Sequence, residues 1–76
     1  MSTVYGVFDN DLDCVAVDGK ETLQEAFELA CELVEEGAEF VRIKYPCVWN
    51  RAHSGYTVIS DDSCKEIFID AAYFNE

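Results

Sequence analysis

Residues 22–37 read TLQEAFELACELVEEG, and this stretch decides the fold. Thr22 and Glu25 have the spacing of a capping box, in which a hydroxyl and a carboxylate each satisfy an unpaired amide at the start of a helix. Gly37 supplies a left-handed residue of the kind that ends helices. The apolar residues between these signals recur at helical spacing, at Leu23, Ala26, Phe27, Ala30, Leu33 and Val34. We therefore predict a helix over residues 22–36.

The segment before this helix predicts a β-hairpin. Residues 3–9 (TVYGVFD) and 14–18 (CVAVD) are rich in β-branched and aromatic side chains, which favour strands. Residues 10–13 (NDLD) lie between them and have turn chemistry. The first strand should therefore pair with the second through a tight turn.

The segment after the helix begins with an alternating pattern. Residues 40–45 (FVRIKY) place apolar and basic side chains on opposite sides from Val41 onward, as in a half-buried strand. Pro46 cannot donate a ladder hydrogen bond, so we expect the strand to bend, to stop or to lie at an edge there. Residues 49–55 have the composition of a loop, and residues 56–60 predict another strand.

The last segment allows two interpretations. Residues 65–70 (KEIFID) contain Ile67 and Ile69, which favour a strand, whereas residues 63–66 (SCKE) fit the capping box of a short helix. We favour the strand. The order is then β-β-α-β-β(-β), which predicts an α+β domain whose mainly antiparallel sheet of four to five strands carries one helix on one face. The core is assigned Phe8, Phe27, Phe40 and Phe68.

Length and composition restrict the classes of function. The 76 residues include 16 acidic and 5 basic side chains, a formal net charge of −11, which fits one folded acidic domain over residues 1–76. Direct binding to nucleic acid or to an anionic membrane is excluded, because both need Lys and Arg opposite phosphates. The sequence shows no secretory signal and no apolar run that would span a bilayer, so we expect a cytoplasmic protein.

No enzyme, metal or cofactor signature is present. The cysteines lack the close spacing of zinc or redox motifs, and we interpret them as small buried side chains, with disulfide pairing left open. They are Cys14, Cys31, Cys47 and Cys64. His53 lies in the loop sequence without the orienting group and cleft that nucleophilic catalysis requires. Trp49 is of a type enriched at binding hot spots, but a core or sheet-capping position is favoured for it.

The turn of the predicted hairpin partly matches a calcium-binding loop. Asp9, Asp11 and Asp13 occupy positions 1, 3 and 5 of such a loop. Position 6 requires Gly and holds Cys14, and position 12 requires Glu and holds Lys20. We therefore interpret these aspartates as exposed acids of a turn and predict no metal site.

The informative feature is a row of glutamates on the predicted helix. They fall within an arc of about 100° opposite the apolar face. We name them the acidic stripe: Glu25, Glu28, Glu32, Glu35 and Glu36. Helices usually interleave Lys or Arg at this spacing, whereas the Glu28–Glu32 and Glu32–Glu36 pairs each cost roughly 0.2–0.5 kcal/mol. Because the stripe lowers folding stability, it indicates a role in binding.

The charge density of the whole chain points to the kind of partner. A compact chain of this length has a diameter of about 29 Å, so its carboxylates are spaced at about one per 1.8 Å, close to one phosphate per ~1.7 Å of duplex axis. A protein that holds phosphates with Arg and Lys can bind such a surface instead. We therefore expect a basic nucleic-acid-binding protein as partner.

In size, acidity and predicted α+β build, the chain resembles the small acidic inhibitor proteins of bacteriophages. The resemblance is carried by Asp9, Asp11, Asp13 and the Glu25–Glu36 stripe. It is nearest to the anti-CRISPR proteins and more distant from the uracil-DNA glycosylase inhibitor and the anti-restriction DNA mimics. It implies a non-enzymatic inhibitor, acting in the cytoplasm of an infected bacterium, that occupies the DNA-binding groove of a host defence complex such as a CRISPR surveillance complex.

Within this hypothesis the acidic stripe is the first candidate partner surface, and Asp9, Asp11 and Asp13 form the second. The alternative is a small structural or regulatory module, such as a homodimer joined at a sheet edge, whose acidity serves solubility.

Overall fold

The computed structural model describes residues 3–9, 15–59, 64–70 and 72. Its elements are β1 (Val4–Asp9), β2 (Asp18–Lys20), α1 (Leu23–Glu35), β3 (Phe40–Asn50), β4 (Gly55–Val58) and β5 (Lys65–Asp70). The strands form a curled antiparallel sheet, and the helix packs on one of its faces. The predicted α+β class and element order are confirmed, and residues 65–70 form a strand rather than a helix.

β3 is the central strand of the sheet. It pairs with β1 along one edge. Along its other edge, residues 40–45 pair with β5 and residues 47–50 pair with β4. Pro46, which has no amide hydrogen, lies between these two pairings and follows a cis peptide bond. Its carbonyl accepts a hydrogen bond from the Ile59 amide at 3.2 Å. The proline thus occupies the position in β3 where a missing donor disrupts no strand pairing.

The side chains of β3 change faces at Pro46. Along β1 the pairing advances from Gly6 to Val4, while along β3 it advances from Lys44 to Cys47, so β3 contains one extra residue, as in a β-bulge. Odd-numbered residues of β3 face the helix before the bulge and face away from it afterwards. The strand therefore bends at the proline and continues, which is one of the three outcomes that the sequence allows.

The helix begins and ends where the sequence predicts. The Thr22 hydroxyl accepts a hydrogen bond from the Glu25 amide at 3.2 Å and donates one to the Glu25 carboxylate at 3.1 Å. Gly37 has a φ of 117°, in the left-handed region. Ala26 and Ala30 are fully buried, because their small side chains let the helix lie close to the sheet. The sheet residues in this core are Val7, Val41, Ile43 and Ile69.

The other face of the sheet, which we call the second face, contains a smaller apolar cluster. Its buried members are Val4, Phe8, Ala16 and Cys47, with Tyr56 and Val58 packed against them. Residues 15–17 cross this face: the Ala16 amide donates to the Tyr56 carbonyl at 2.9 Å, and the Val17 amide donates to the Val7 carbonyl at 2.7 Å. This segment therefore connects β4 to β1 through backbone hydrogen bonds.

The second strand starts later than predicted. Residues 14–18 were expected to pair, but β2 begins at Asp18, because residues 15–17 connect two strands instead of extending one. β3 also runs through Asn50, so the predicted loop shrinks to a turn over residues 51–54. The predicted turn at 10–13 lies outside the described residues.

We expect Gly6→Ala to lower the free energy of unfolding by about 1–3 kcal/mol, because overpacking of a full core forces side chains to move. A Cβ at Gly6 would lie 2.7 Å from the Cys47 sulfur and 3.1 Å from the Phe8 ring. Urea denaturation measures the loss. In a Cys47→Ala background the same change should cost less, since the sulfur is gone. An equal loss in both backgrounds would contradict this contact.

Candidate functional site

The acidic stripe lies on the solvent side of α1. All five of its side chains are exposed: Glu25, Glu28, Glu32, Glu35 and Glu36. Ala26 and Ala30, the buried residues of the helix, lie on the side that contacts the sheet. The helix therefore presents its five carboxylates to solvent on a regular, capped backbone, which fixes their spacing.

One lysine lies beside the stripe without neutralising it. Lys20 lines a shallow hollow of about 240 Å³ together with Glu25, Glu28 and Glu32. Its ammonium, however, pairs with the Asp18 carboxylate at 3.2 Å. Within the described residues, the five stripe carboxylates form no ion pair. Lys20 therefore weakens the negative potential near the start of the helix and leaves the carboxylates available.

The cations of β3 lie on the far side of the sheet. Arg42 and Lys44 approach the same Glu66 carboxylate oxygen at 3.6 Å and 3.8 Å. The Lys44 ammonium also lies 5.0 Å from the centre of the Phe8 ring, and the Arg42 guanidinium lies 6.0 Å from that of Phe40. These contacts hold both cations on the second face, where the sheet separates them from the acidic stripe.

The average spacing of the stripe along the helix axis is close to that of one nucleic-acid strand. Eleven helical rises of about 1.5 Å separate Glu25 from Glu36, so the stripe is about 16 Å long. Its consecutive charges are between about 1.5 Å and about 6 Å apart along the axis, with a mean of about 4 Å. Phosphates of a single DNA strand are about 3.4 Å apart along the helix axis. The longest dimension of the protein is 37 Å. The sequence analysis assumed a sphere with a diameter of about 29 Å. Because the carboxylates are spread over a longer axis, their charge density is further from that of duplex DNA than the sequence suggests.

The second candidate surface is described only in part. Asp9 ends β1 opposite Val41, and it is half-buried. One of its carboxylate oxygens is shielded from solvent and has no hydrogen-bond partner within the described residues. Asp11 and Asp13 lie outside the described residues. Asp9 therefore differs from the stripe glutamates, whose side chains are exposed.

Two aromatic residues are more exposed than the sequence predicts. Phe68, assigned to the core, is 51% exposed on the second face and stacks on Phe40 with 5.0 Å between ring centres. The alternation of side chains along a strand could have predicted the exposure of Phe68, because Ile67 and Ile69 face the helix and leave Phe68 on the opposite face. Trp49 is 56% exposed and its ring lies edge-on to that of Tyr56, with 5.3 Å between ring centres. Trp49 lies on this face because the bulge at Pro46 reverses the alternation of β3.

The described residues hold no group of three metal-ligating side chains, and no helix among them is long and apolar enough to cross a membrane. Cys31, Cys47 and Cys64 are not in disulfides. Cys47 is fully buried, as predicted, whereas Cys31 and Cys64 are half-buried. Burial raises the pKa of the Cys47 thiol, which stays protonated at neutral pH.

Comparison with known proteins gave no match: no protein-family model matches the chain, and neither does any curated protein or solved structure.

We expect Glu32→Gln to raise the free energy of unfolding by about 0.5 kcal/mol at low salt, because it removes repulsion with Glu28 and Glu36. Urea titration in 10 mM and 1 M NaCl measures the gain, which should vanish at high salt, where the screening length falls to about 3 Å.

The matched control is Glu66→Gln, the same chemical change on the second face. It should lower stability by at most about 1 kcal/mol, because Glu66 pairs with Arg42 and Lys44 at a partly exposed site. No gain for Glu32→Gln at low salt would show that the stripe carries no repulsive cost, and an equal gain for Glu66→Gln would show that net charge, not the stripe, is responsible.

Proposed function

We propose that this protein is a non-enzymatic inhibitor whose acidic stripe occupies the nucleic-acid-binding site of a basic host protein or complex. The observation that carries the proposal is the stripe itself: four exposed glutamates on α1 and a fifth at its C-cap, Glu36, without an ion pair within the described residues. Clustered like charge lowers stability, so its presence on a small domain is most simply explained by a cationic partner.

The stripe can replace phosphates because it offers similar charge at similar spacing. Carboxylates accept charge-assisted hydrogen bonds from Arg and Lys, as phosphate oxygens do. The mean separation of the carboxylates along the axis is about 4 Å, so the stripe offers a groove that tracks one nucleic-acid strand a similar number of charges per unit length. Electrostatic steering also speeds the encounter at low ionic strength.

The partner class follows from the resemblance to small phage inhibitors. The partner we propose is a CRISPR surveillance complex in the cytoplasm of an infected bacterium, bound at the surface that admits target DNA. This complex combines a basic channel with a single-stranded stage of target recognition, which suits a stripe of single-strand spacing.

We expect the immobilised protein to capture its partner from a CRISPR-containing bacterial lysate at 50 mM salt and to release it on addition of single-stranded DNA. If all five glutamates replace phosphates, affinity should fall by up to about 100-fold between 50 and 200 mM salt. Mass spectrometry identifies the captured proteins. Binding that ignores both salt and competing DNA would count against the proposal.

Glu28→Lys combined with Glu32→Lys should weaken this capture about tenfold or more, because two attractive contacts become repulsive. The control is Glu21→Lys combined with Glu39→Lys, which changes net charge equally at exposed positions outside the stripe. Competition binding with purified partner compares the two. Equal losses would mean that net charge, and not the stripe, governs binding.

The alternative, a homodimeric structural module, is favoured by one observation. Phe68 and Phe40 form a stacked aromatic pair on the second face, and half of Phe68 is exposed. An exposed apolar surface of this kind suits self-association. Light scattering after size-exclusion chromatography tests it: a stable dimer that Phe68→Ser converts to monomer would favour the module, and a wild-type monomer would exclude it.

A further inference from the structure

An apolar cavity lies on the helix side of the sheet, at the end where the helix begins. Its floor is formed by Ile43 and Ile67, which pair directly between β3 and β5. Leu23, the first residue of α1, forms one wall. The volume of the cavity is about 240 Å³. Ligand pockets usually measure about 300–1,000 Å³, so this cavity fits a small ligand built on a single ring.

The other walls belong to one row of side chains across the sheet. Tyr45 of β3 pairs directly with Lys65 of β5. Tyr5 of β1 stacks on Tyr45, with 4.3 Å between ring centres and 27° between ring planes. The Tyr45 hydroxyl also forms a hydrogen bond of 3.2 Å with the Thr3 hydroxyl. These contacts hold the Tyr45 ring in place, so the aromatic wall exists before a ligand binds.

Lysines lie at both ends of this row, and they differ in their ion pairs. Lys20 of β2 pairs with Tyr5 across the strands, and its ammonium contacts the Asp18 carboxylate at 3.2 Å. Lys65, at the other end, is exposed and forms no ion pair within the part of the chain that the structure describes. Glu66, its neighbour on β5, contacts the cations of the second face instead. The rim of the cavity therefore carries an ammonium that an anionic ligand can neutralise.

We propose that this cavity binds a small aromatic carboxylate. The ring lies on the isoleucine floor beside Tyr45, where contacts between aromatic rings add to the burial of apolar area. The carboxylate accepts a charge-assisted hydrogen bond from the Lys65 ammonium at the rim. None of the stripe glutamates lines the cavity, so ligand binding here does not depend on the proposed inhibitor function.

The net charge of −11 disfavours the approach of any anion, and salt reduces this penalty. At 0.15 M salt the screening length is about 8 Å, so distant carboxylates are largely screened. The Lys65 ammonium acts at contact distance and is screened much less. Binding is therefore measured at this ionic strength.

The experiment titrates the full chain, labelled with nitrogen-15, with phenylacetate and follows the backbone amides by NMR. We expect saturable shifts that are largest at Leu23, Tyr45 and Ile67. Phenylacetamide has the same ring without the charge and should bind about three- to tenfold more weakly. Hexanoate has the charge without the ring and should also bind more weakly. A lack of saturable shifts, shifts confined to the second face, or equal binding of hexanoate and phenylacetate would overturn the proposal.

Two matched substitutions isolate the charge at the rim. Lys65→Gln should weaken phenylacetate binding to the level of phenylacetamide and leave phenylacetamide binding unchanged, because only the ammonium is removed. Lys20→Gln makes the same chemical change at the other end of the row, where the ammonium contacts Asp18, and should alter phenylacetate affinity by less than about twofold. Equal losses for the two variants would mean that net charge attracts the anion, and would overturn the assignment of Lys65.

Discussion

The structure depends on β3, a single strand that pairs along both edges and supplies both apolar clusters. Its first half pairs with β1 and β5, and its last part pairs with β4. The bulge at Pro46 lets one strand direct Val41 and Ile43 toward the helix and Cys47 toward the second face. A regular strand would send all three side chains to the same face and leave the curled part of the sheet without its buried cysteine.

This arrangement also determines where charges meet. Alternation along β3 sends Arg42 and Lys44 to the second face, and the register with β5 sets Glu66 opposite Lys44. The sheet lies between these cations and the helix, so no rotamer brings Arg42 or Lys44 to the acidic stripe. Compensation is therefore local on the second face, whereas the outer side of the helix keeps an excess of negative charge.

The sequence predicts features that depend on local signals. The helix, its cap at Thr22 and its end at Gly37 follow from capping chemistry and apolar spacing, and they agree with the structure to within one residue. The exposure of the stripe follows from the same helical periodicity, which places these glutamates opposite the apolar face. The local sequence of residues 65–70 allows either a strand or a short helix, and the segment is a strand because it pairs with β3.

Features that depend on distant contacts could not be predicted from the sequence. A bulge is defined by the partner strand, so the change of faces at Pro46 and the exposure of Trp49 are not local properties. Residues 15–17 form hydrogen bonds to two strands far apart in the sequence, and a β-rich composition does not distinguish such a bridge from a strand. Phe68 differs, because strand alternation alone would have placed it opposite its isoleucine neighbours.

The separation of the two faces explains why the stripe can be read as a binding surface. Domains of this size have small stability margins, so repulsion of a few tenths of a kcal/mol per glutamate pair is a measurable fraction of the total. The contacts that define the fold lie on the inner side of the helix and across the sheet, and the stripe contributes to none of them beyond the cap at Glu25. Substitution of the outer glutamates would cost the fold little, so a structural requirement does not account for five of them in one row. The cationic partner that we propose would account for them, because binding would convert the same repulsion into attraction.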